Sequence, residues 1–137
     1  MSLFVDTSVW SLALRRDAPP EIGETEELAR AISGRAQVMT TGLVLQEVLQ
    51  GMFGPKLRAA LIEKFSSLTF LVPDKTDHIE AAELRNTCRR AGVQVGTVDA
   101  LLAQLCIRHG LTMLAADQDF RYMAKHVPLR LWRPNLH

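Results

Sequence analysis

At 137 residues the chain fits a single domain over residues 1–137, long enough to bury a core without disulfides or a structural metal. Apolar residues at 47% against 23% charged residues exclude a disordered or fibrous chain, and with no run of about eighteen apolar residues no membrane span is expected. The net charge of +1 names no partner, but it can hide segregation of sign: with four of the 15 acids gathered and neutralised by cations, the remainder is 16 minus 11, or +5.

Met1-Ser2-Leu3-Phe4-Val5-Asp6 lacks the basic region and long apolar stretch of a signal peptide, so a cytoplasmic location is expected. Leu3-Phe4-Val5 reads as a short buried strand ending abruptly in Asp6-Thr7-Ser8. Asp6 there is equally suited to cap the helix that follows, Val9 to Leu14, and to project from the end of a sheet as a site residue. Arg15 and Arg16 precede a Pro19-Pro20 loop signal and read more simply as a solvated helix end than as a phosphate contact. A helix follows from Glu24 to Ile32, with Leu28, Ala31 and Ile32 on its apolar side.

Val38 to Thr40 is a second strand, and Thr41 or Thr40 can cap a helix from Gly42 whose expected core stripe is Leu45, Leu49 and Met52. Glu47 lies off that stripe, on a flank with Leu43, Gln50 and Gly51; alone it reads as a solvated helix former. Lys56 to Phe65 forms another helix with Leu57, Leu61, Ile62 and Phe65 inward, and Leu68 to Val72 a third strand closed by Pro73. The pattern predicts a long helix from Thr76 to Ala91, capped by Thr76 and stopped by Gly92. Its exposed Arg85, Arg89 and Arg90 can meet phosphates, though the helix dipole already accounts for a basic last turn.

After the loop Gly92 to Gly96, Thr97 is placed to cap a helix running to Gly110, with Val98, Leu101, Leu102, Leu105 and Cys106 as its stripe. Asp99 then sits in the first turn, where free amides favour an anion. Leu111 to Ala115 is a fourth strand that delivers Asp117-Gln118-Asp119-Phe120, and Leu129 to Trp132 a fifth. Cys88 and Cys106 fall in helices with no Cys-x-x-Cys spacing, so reduced buried thiols are expected. Strands alternating with helices along the chain describe an α/β domain with a mostly parallel sheet covered on both faces.

Ligands of open parallel sheets bind beyond the C-terminal strand ends. If the first and fourth strands are neighbours, Asp6, Glu47, Asp99 and Asp117 all face one such crevice. Four close carboxylates stay ionised only with cations between them, and oxygen ligation without His or Cys suits Mg²⁺ or Mn²⁺ rather than zinc. Divalent ions in an acidic crevice suit phosphodiester hydrolysis, which needs an activated water and compensation of phosphate charge. His78, His109, His126 and His137 are dispersed, no Ser/His/Asp arrangement competes, and no Gly-rich phosphate loop suggests ATP.

Val5-Asp6-Thr7-Ser8-Val9-Trp10, Glu47-Val48-Leu49-Gln50-Gly51, Thr97-Val98-Asp99-Ala100-Leu101-Leu102-Ala103 and Ala116-Asp117-Gln118-Asp119-Phe120 resemble, in order and spacing, the successive motifs of PIN-domain proteins. Among these the chain is most similar to the VapC toxins of bacterial toxin–antitoxin pairs. The resemblance implies a three-layer α/β/α fold with a mostly parallel five-stranded sheet, and an acidic quartet of Asp6, Glu47, Asp99 and Asp117 that binds Mg²⁺, with Mn²⁺ able to substitute, and orients the attacking water. It assigns Thr7, Ser8 and Thr97 as hydroxyl supports and Asp119 as a supporting acid or further ligand. It further implies an endoribonuclease, a homodimer and inhibition by a small antitoxin protein. Ala115-Ala116 departs from relatives that often carry a hydroxyl before the fourth-motif acid, which weakens support at Asp117.

The alternative within the fold is a catalytically weak PIN-like module that binds RNA or protein without cutting; four unpaired carboxylates speak against it. A receiver-like phosphoacceptor wants adjacent acids after the first strand, where this chain has Thr7-Ser8. Met52 and Phe53 are candidates for a dimer face, although core burial explains them as well.

Overall fold

The computed structural model describes residues 2–14, 22–34, 36–52 and 54–134; Arg15, Arg16, Phe53 and His137 lie outside the described residues. The chain runs β1 (Ser2–Val5), α1 (Thr7–Ala13), α2 (Gly23–Ser33), β2 (Gln37–Thr40), α3 (Gly42–Gln50), α4 (Pro55–Phe65), β3 (Thr69–Phe70), α5 (Lys75–Arg90), α6 (Thr97–His109), β4 (Thr112–Leu114), α7 (Gln118–Met123) and β5 (Arg130–Leu131). The strands form one sheet in the order β3-β2-β1-β4-β5, and every pairing is parallel. Leu3, Phe4 and Val5 are each fully buried although alternate residues of a strand face opposite ways, so β1 is covered on both sides.

This order makes β1 the hinge of the topology. The chain builds outward on one flank through β2 and β3, then crosses back to add β4 and β5 on the other. Val5 pairs with Leu114, and the Asp6 amide donates to the Leu114 carbonyl at 2.9 Å, so the residues after β1 and after β4 emerge side by side. That gap is the switch point where open parallel sheets leave a crevice.

Several local expectations are corrected. The buried face of α3 is Val44 and Val48, with Leu45, Leu49 and Met52 only partly buried against the core. Both sets have helical spacing, and packing of α3 against α1 and α4 selects the β-branched one. In α4, Leu61 and Phe65 are buried, Phe65 against Trp10 with ring centroids 4.7 Å apart, while Ile62 faces outward. The third strand shrinks to Thr69–Phe70, followed by one further ladder bond from the Leu71 amide to the Thr40 carbonyl at 2.8 Å. Asp74, not Thr76, caps α5, because Asp74 and Asp77 exchange side-chain to amide bonds in a capping box.

Helix α6 is buried well beyond a single stripe, at Ala100, Leu101, Leu102, Ala103, Leu105 and Cys106, because it packs against both α5 and β4. Its cap is Gly96, whose carbonyl accepts the Ala100 amide at 3.0 Å, so Thr97 is the first helical residue rather than the cap. Gly110 ends the helix with φ of 64°, a left-handed conformation that costs a side chain strain. Both cysteines are free and buried, and burial pushes their thiols up, which keeps them unreactive. No helix of the described residues is long and apolar enough to cross a membrane.

The α5–α6 contact carries a buried ion pair. Asp77 is fully buried, accepts the Asp74 amide at 3.0 Å and meets the Arg108 guanidinium, which also lies 3.4 Å from Asp74. Burial alone raises the Asp77 carboxyl; the Asp74 amide and Arg108 outweigh it and hold the carboxyl below its ordinary value. Its stabilising contribution is therefore present above about pH 4 and is lost as pH falls through the lowered value. Arg108→Ala leaves a buried carboxylate without its cation and is expected to cost about 2–3 kcal/mol at neutral pH, reduced from the fully buried case because Arg108 is part-exposed. Urea unfolding at pH 7 and at about pH 3 measures it, with the difference between wild type and variant narrowing at the lower pH.

Candidate active site

Asp6 leaves the end of β1 with 5% exposure and caps α1. Its Oδ2 accepts from the Ser8 amide at 3.1 Å and the Ser8 hydroxyl at 2.6 Å, while Ser8 Oγ accepts the Ala116 amide at 3.0 Å. Ser8 thus ties the carboxylate at the end of β1 to the backbone after β4. The cap and the site position are the same position, so neither displaces the other. Burial raises the Asp6 carboxyl, the Ser8 and Thr7 bonds work against that, and Glu47 pushes it further up.

Glu47 projects from α3 into solvent and accepts the Thr7 hydroxyl at Oε1, 2.9 Å. Thr7 thereby fixes Glu47 to the first turn of α1, next to Asp6. After β4, Asp117 caps α7 by accepting the Asp119 amide at 2.9 Å, and this turn sets the Asp117 and Asp119 side chains together. Asp99 comes from the first turn of α6. A Cβ placed on Gly96 lies 3.9 Å from Asp99 Oδ2, so the carboxylate folds back over the start of its own helix.

One carboxylate oxygen from each of Asp99, Asp117 and Asp119 lies within 4.8 Å of the other two. Asp6 and Glu47 stand outside this mutually close group yet act on it through charge. Asp99 is pushed up to about 6, by burial first and then by Asp6, Asp117, Glu47 and Asp119 in turn. All four neighbours act in the same direction on one residue, which makes Asp99 the electrostatic focus of the site. Among the described residues the ion pairs join Arg30 to Glu27, Arg108 to Asp74 and Asp77, and Arg121 to Glu24; none reaches these five acids.

The residues read from sequence therefore divide. Asp6, Glu47, Asp99 and Asp117 share one end of the sheet, with Thr7 and Ser8 bonded to the first two. Asp119, read as a supporting acid, belongs to the tightest group; its signal was the two-residue step from Asp117 across a helix start, which places both side chains near the same free amides. Thr97 bonds to none of the acids and lines an apolar cavity between α3, α5 and α6, which His78 also borders.

The donor set consists of carboxylate oxygens alone, partly exposed and without a cationic side chain. That composition fits a hard divalent cation such as Mg²⁺ or Mn²⁺ and gives a thiophilic metal no soft ligand.

A PIN domain family model matches residues 3–126 of the chain. The chain is 30% identical over 125 residues to VapC ribonuclease Mb1587 of Mycobacterium bovis and to ribonuclease VapC11 of Mycobacterium tuberculosis, in each case over 90% of this chain and 92% of the relative. Among solved structures it is similar to VapC20 of Mycobacterium tuberculosis, described as a Sarcin-Ricin loop cleaving toxin, with a TM-score of 0.69, 25% identity, and coverage of 93% of this chain and 98% of that one. It is also similar to a chain of VapBC2 from Rickettsia felis bound to a promoter DNA fragment, with a TM-score of 0.72 and 18% identity over 98% and 100% of the two chains, a likeness of fold.

Proposed function

The chain belongs to the PIN domain family, and from that premise we propose that it is a metal-dependent endoribonuclease, the toxin of a VapBC-type toxin–antitoxin pair. In this reading it is a cytoplasmic homodimer that hydrolyses RNA phosphodiester bonds and is held in check by a cognate antitoxin protein. The observation that carries it is the cluster of Asp99, Asp117 and Asp119 beside the β1/β4 switch point, with Asp6 and Glu47 acting on Asp99 through charge and no ion pair to any of the five among the described residues. A purely structural cluster of this kind only destabilises the fold.

Asp99, Asp117 and Asp119 would hold Mg²⁺, with Mn²⁺ able to substitute, and Asp6 and Glu47 complete the negative wall. A cation held there would supply charge compensation on the phosphate and would lower the pKa of a bound water. The protein's own part is positioning. Ser8 fixes Asp6 against the end of β4, and Thr7 fixes Glu47, whose second oxygen is left to orient a water or take its proton at Oε2. The folded-back carboxylate of Asp99 presents its charge to the crevice from above the free amides of α6.

A pH profile of RNA cleavage in Mg²⁺ tests this reading. With its carboxyl at about 6, Asp99 takes up a proton as pH falls and must release it to bind a cation. At subsaturating Mg²⁺, cleavage is expected to fall by up to about tenfold per pH unit below 6 and to recover with added metal. No cleavage of any RNA between pH 5 and 8 overturns the assignment.

A further inference from the structure

Arg85 and Arg89 are basic side chains that share a cavity with one of the site acids. They lie four residues apart on α5, on one face of the helix, and both line an open cavity of about 610 Å³. Its remaining walls are the loop from Val93 to Gly96 and Asp119, one of the three acids whose oxygens converge. One space therefore runs from two guanidinium groups to the edge of the acidic cluster, yet no ion pair joins the two signs.

The helix dipole accounts for basic residues in the last turn of α5, which are Arg89 and Arg90. It does not account for Arg85, more than one turn earlier. The Arg85 Nε donates to the Val95 carbonyl at 2.7 Å, which fixes the planar fork and leaves the Nη groups for another acceptor. The Arg89 guanidinium has neither an ion pair nor a hydrogen bond among the described residues. Arg90 differs: it donates to Thr87 and does not line the cavity. Arg85 also borders the mostly apolar cavity between α5 and α6, which Arg89 does not line, so the space the two arginines share is the one that reaches Asp119.

We propose that Arg85 and Arg89 form a phosphate subsite that holds the RNA strand at a phosphate neighbouring the one presented to the acids. A guanidinium pair facing an acidic metal site across an open cavity suits a polyanion: one phosphate meets the arginines while the adjacent one meets the cation. The subsite rests on the ribonuclease reading and adds to it which face of α5 the strand follows. Arg85 has a second role as an anchor of the loop that leads into α6, so Arg89, whose side chain has no hydrogen bond or ion pair among the described residues, is the cleaner residue to change.

The test uses the full chain in Mg²⁺ with a fluorescein-labelled oligouridylate, comparing wild type, Arg89→Gln, Arg85→Lys and Arg90→Gln. Arg89→Gln is expected to raise KM about tenfold with kcat within about twofold, since a remote contact binds ground state and transition state alike. The slope of log(kcat/KM) against log salt should shrink by about 0.7, the loss of one single-strand phosphate contact. Arg85→Lys keeps the charge but loses the fixed fork and should raise KM, with the melting temperature of each variant as its own control for folding. Arg90→Gln removes the same charge from the same helix end and should match wild type. Arg89→Gln indistinguishable from Arg90→Gln, with wild type active, overturns the subsite alone; no cleavage by wild type on any RNA overturns the reading beneath it.

Discussion

Replacing Asp99 with Asn is expected to abolish RNA cleavage, by about 10³-fold or more, while making the metal-free protein more stable. The two effects have one cause. Asp99 is half-buried and receives the repulsion of Asp6, Asp117, Glu47 and Asp119, which together with burial raise its carboxyl from 3.8 to about 6. For an acid with a raised folded value the ionised form opposes folding: the penalty is absent below about pH 4, grows from there to about pH 6 and is complete above it. Discounted for partial exposure, it amounts to about 1–2 kcal/mol at pH 7. Asparagine keeps the shape and removes both the penalty and the ligand. Chemical unfolding in EDTA should show the variant more stable at pH 7 and equal to wild type near pH 3.5, while a cleavage assay in Mg²⁺ shows it inactive. A variant that is less stable at pH 7, or that cuts at the wild-type rate, contradicts the placement of Asp99 at the focus of the site.

Chelation should have an effect of similar size on the wild type. EDTA is expected to stop cleavage, and Mg²⁺ or Mn²⁺ in excess to restore it, because Asp99, Asp117 and Asp119 offer only hard oxygen donors. The same titration followed by thermal melting should raise the melting temperature, since a ligand that binds only the folded state adds about 2.7 kcal/mol at one hundred times its Kd. In Asp99→Asn most of that gain should disappear. Cleavage that persists unchanged in EDTA would falsify the metal assignment, and a rate restored without any change in melting would separate the ion's role from these acids.

How much of this was legible in the chain depends on the range of the interaction. Asp6 and Asp117 announce themselves because each follows a short apolar run, and a buried strand that ends in an acid exposes it at the sheet edge. Their meeting was conditional on β1 and β4 being neighbours, a property of topology; it is realised through the Val5–Leu114 pairing and the Ser8 to Ala116 bond. Local periodicity misjudged α3, where Leu45 and Leu49 compete with Val44 and Val48 at the same spacing and only the packed neighbours decide. It also misjudged the caps of α5 and α6, where Asp74 lies two residues before Thr76 and Gly96 one residue before Thr97. The Asp77–Arg108 pair spans 31 residues and leaves no mark in either helix pattern. Likewise the cavity that Arg85 and Arg89 share with Asp119 exists only once α5, its following loop and α7 are assembled.

The supports of the site show the same division of labour. Thr7 and Ser8 are ordinary helix-start residues whose hydroxyls are also drawn to Glu47 and Asp6, so the segment that ends β1 builds the site with the bonds that begin α1. The departure at Ala115-Ala116 matters less than sequence comparison of motifs implies. The Ala116 amide is already held by Ser8, and Asp117 gains its own support by capping α7.

If the acids around Asp99 form a ribonuclease site, as proposed, its action should be visible in cellular RNA. Sequencing RNA fragments from cells expressing wild type and Asp99→Asn to equal levels tests it most directly. A defined set of new RNA ends is expected with wild type and not with the variant. The same ends at the same abundance with both proteins, or none with either, contradict it.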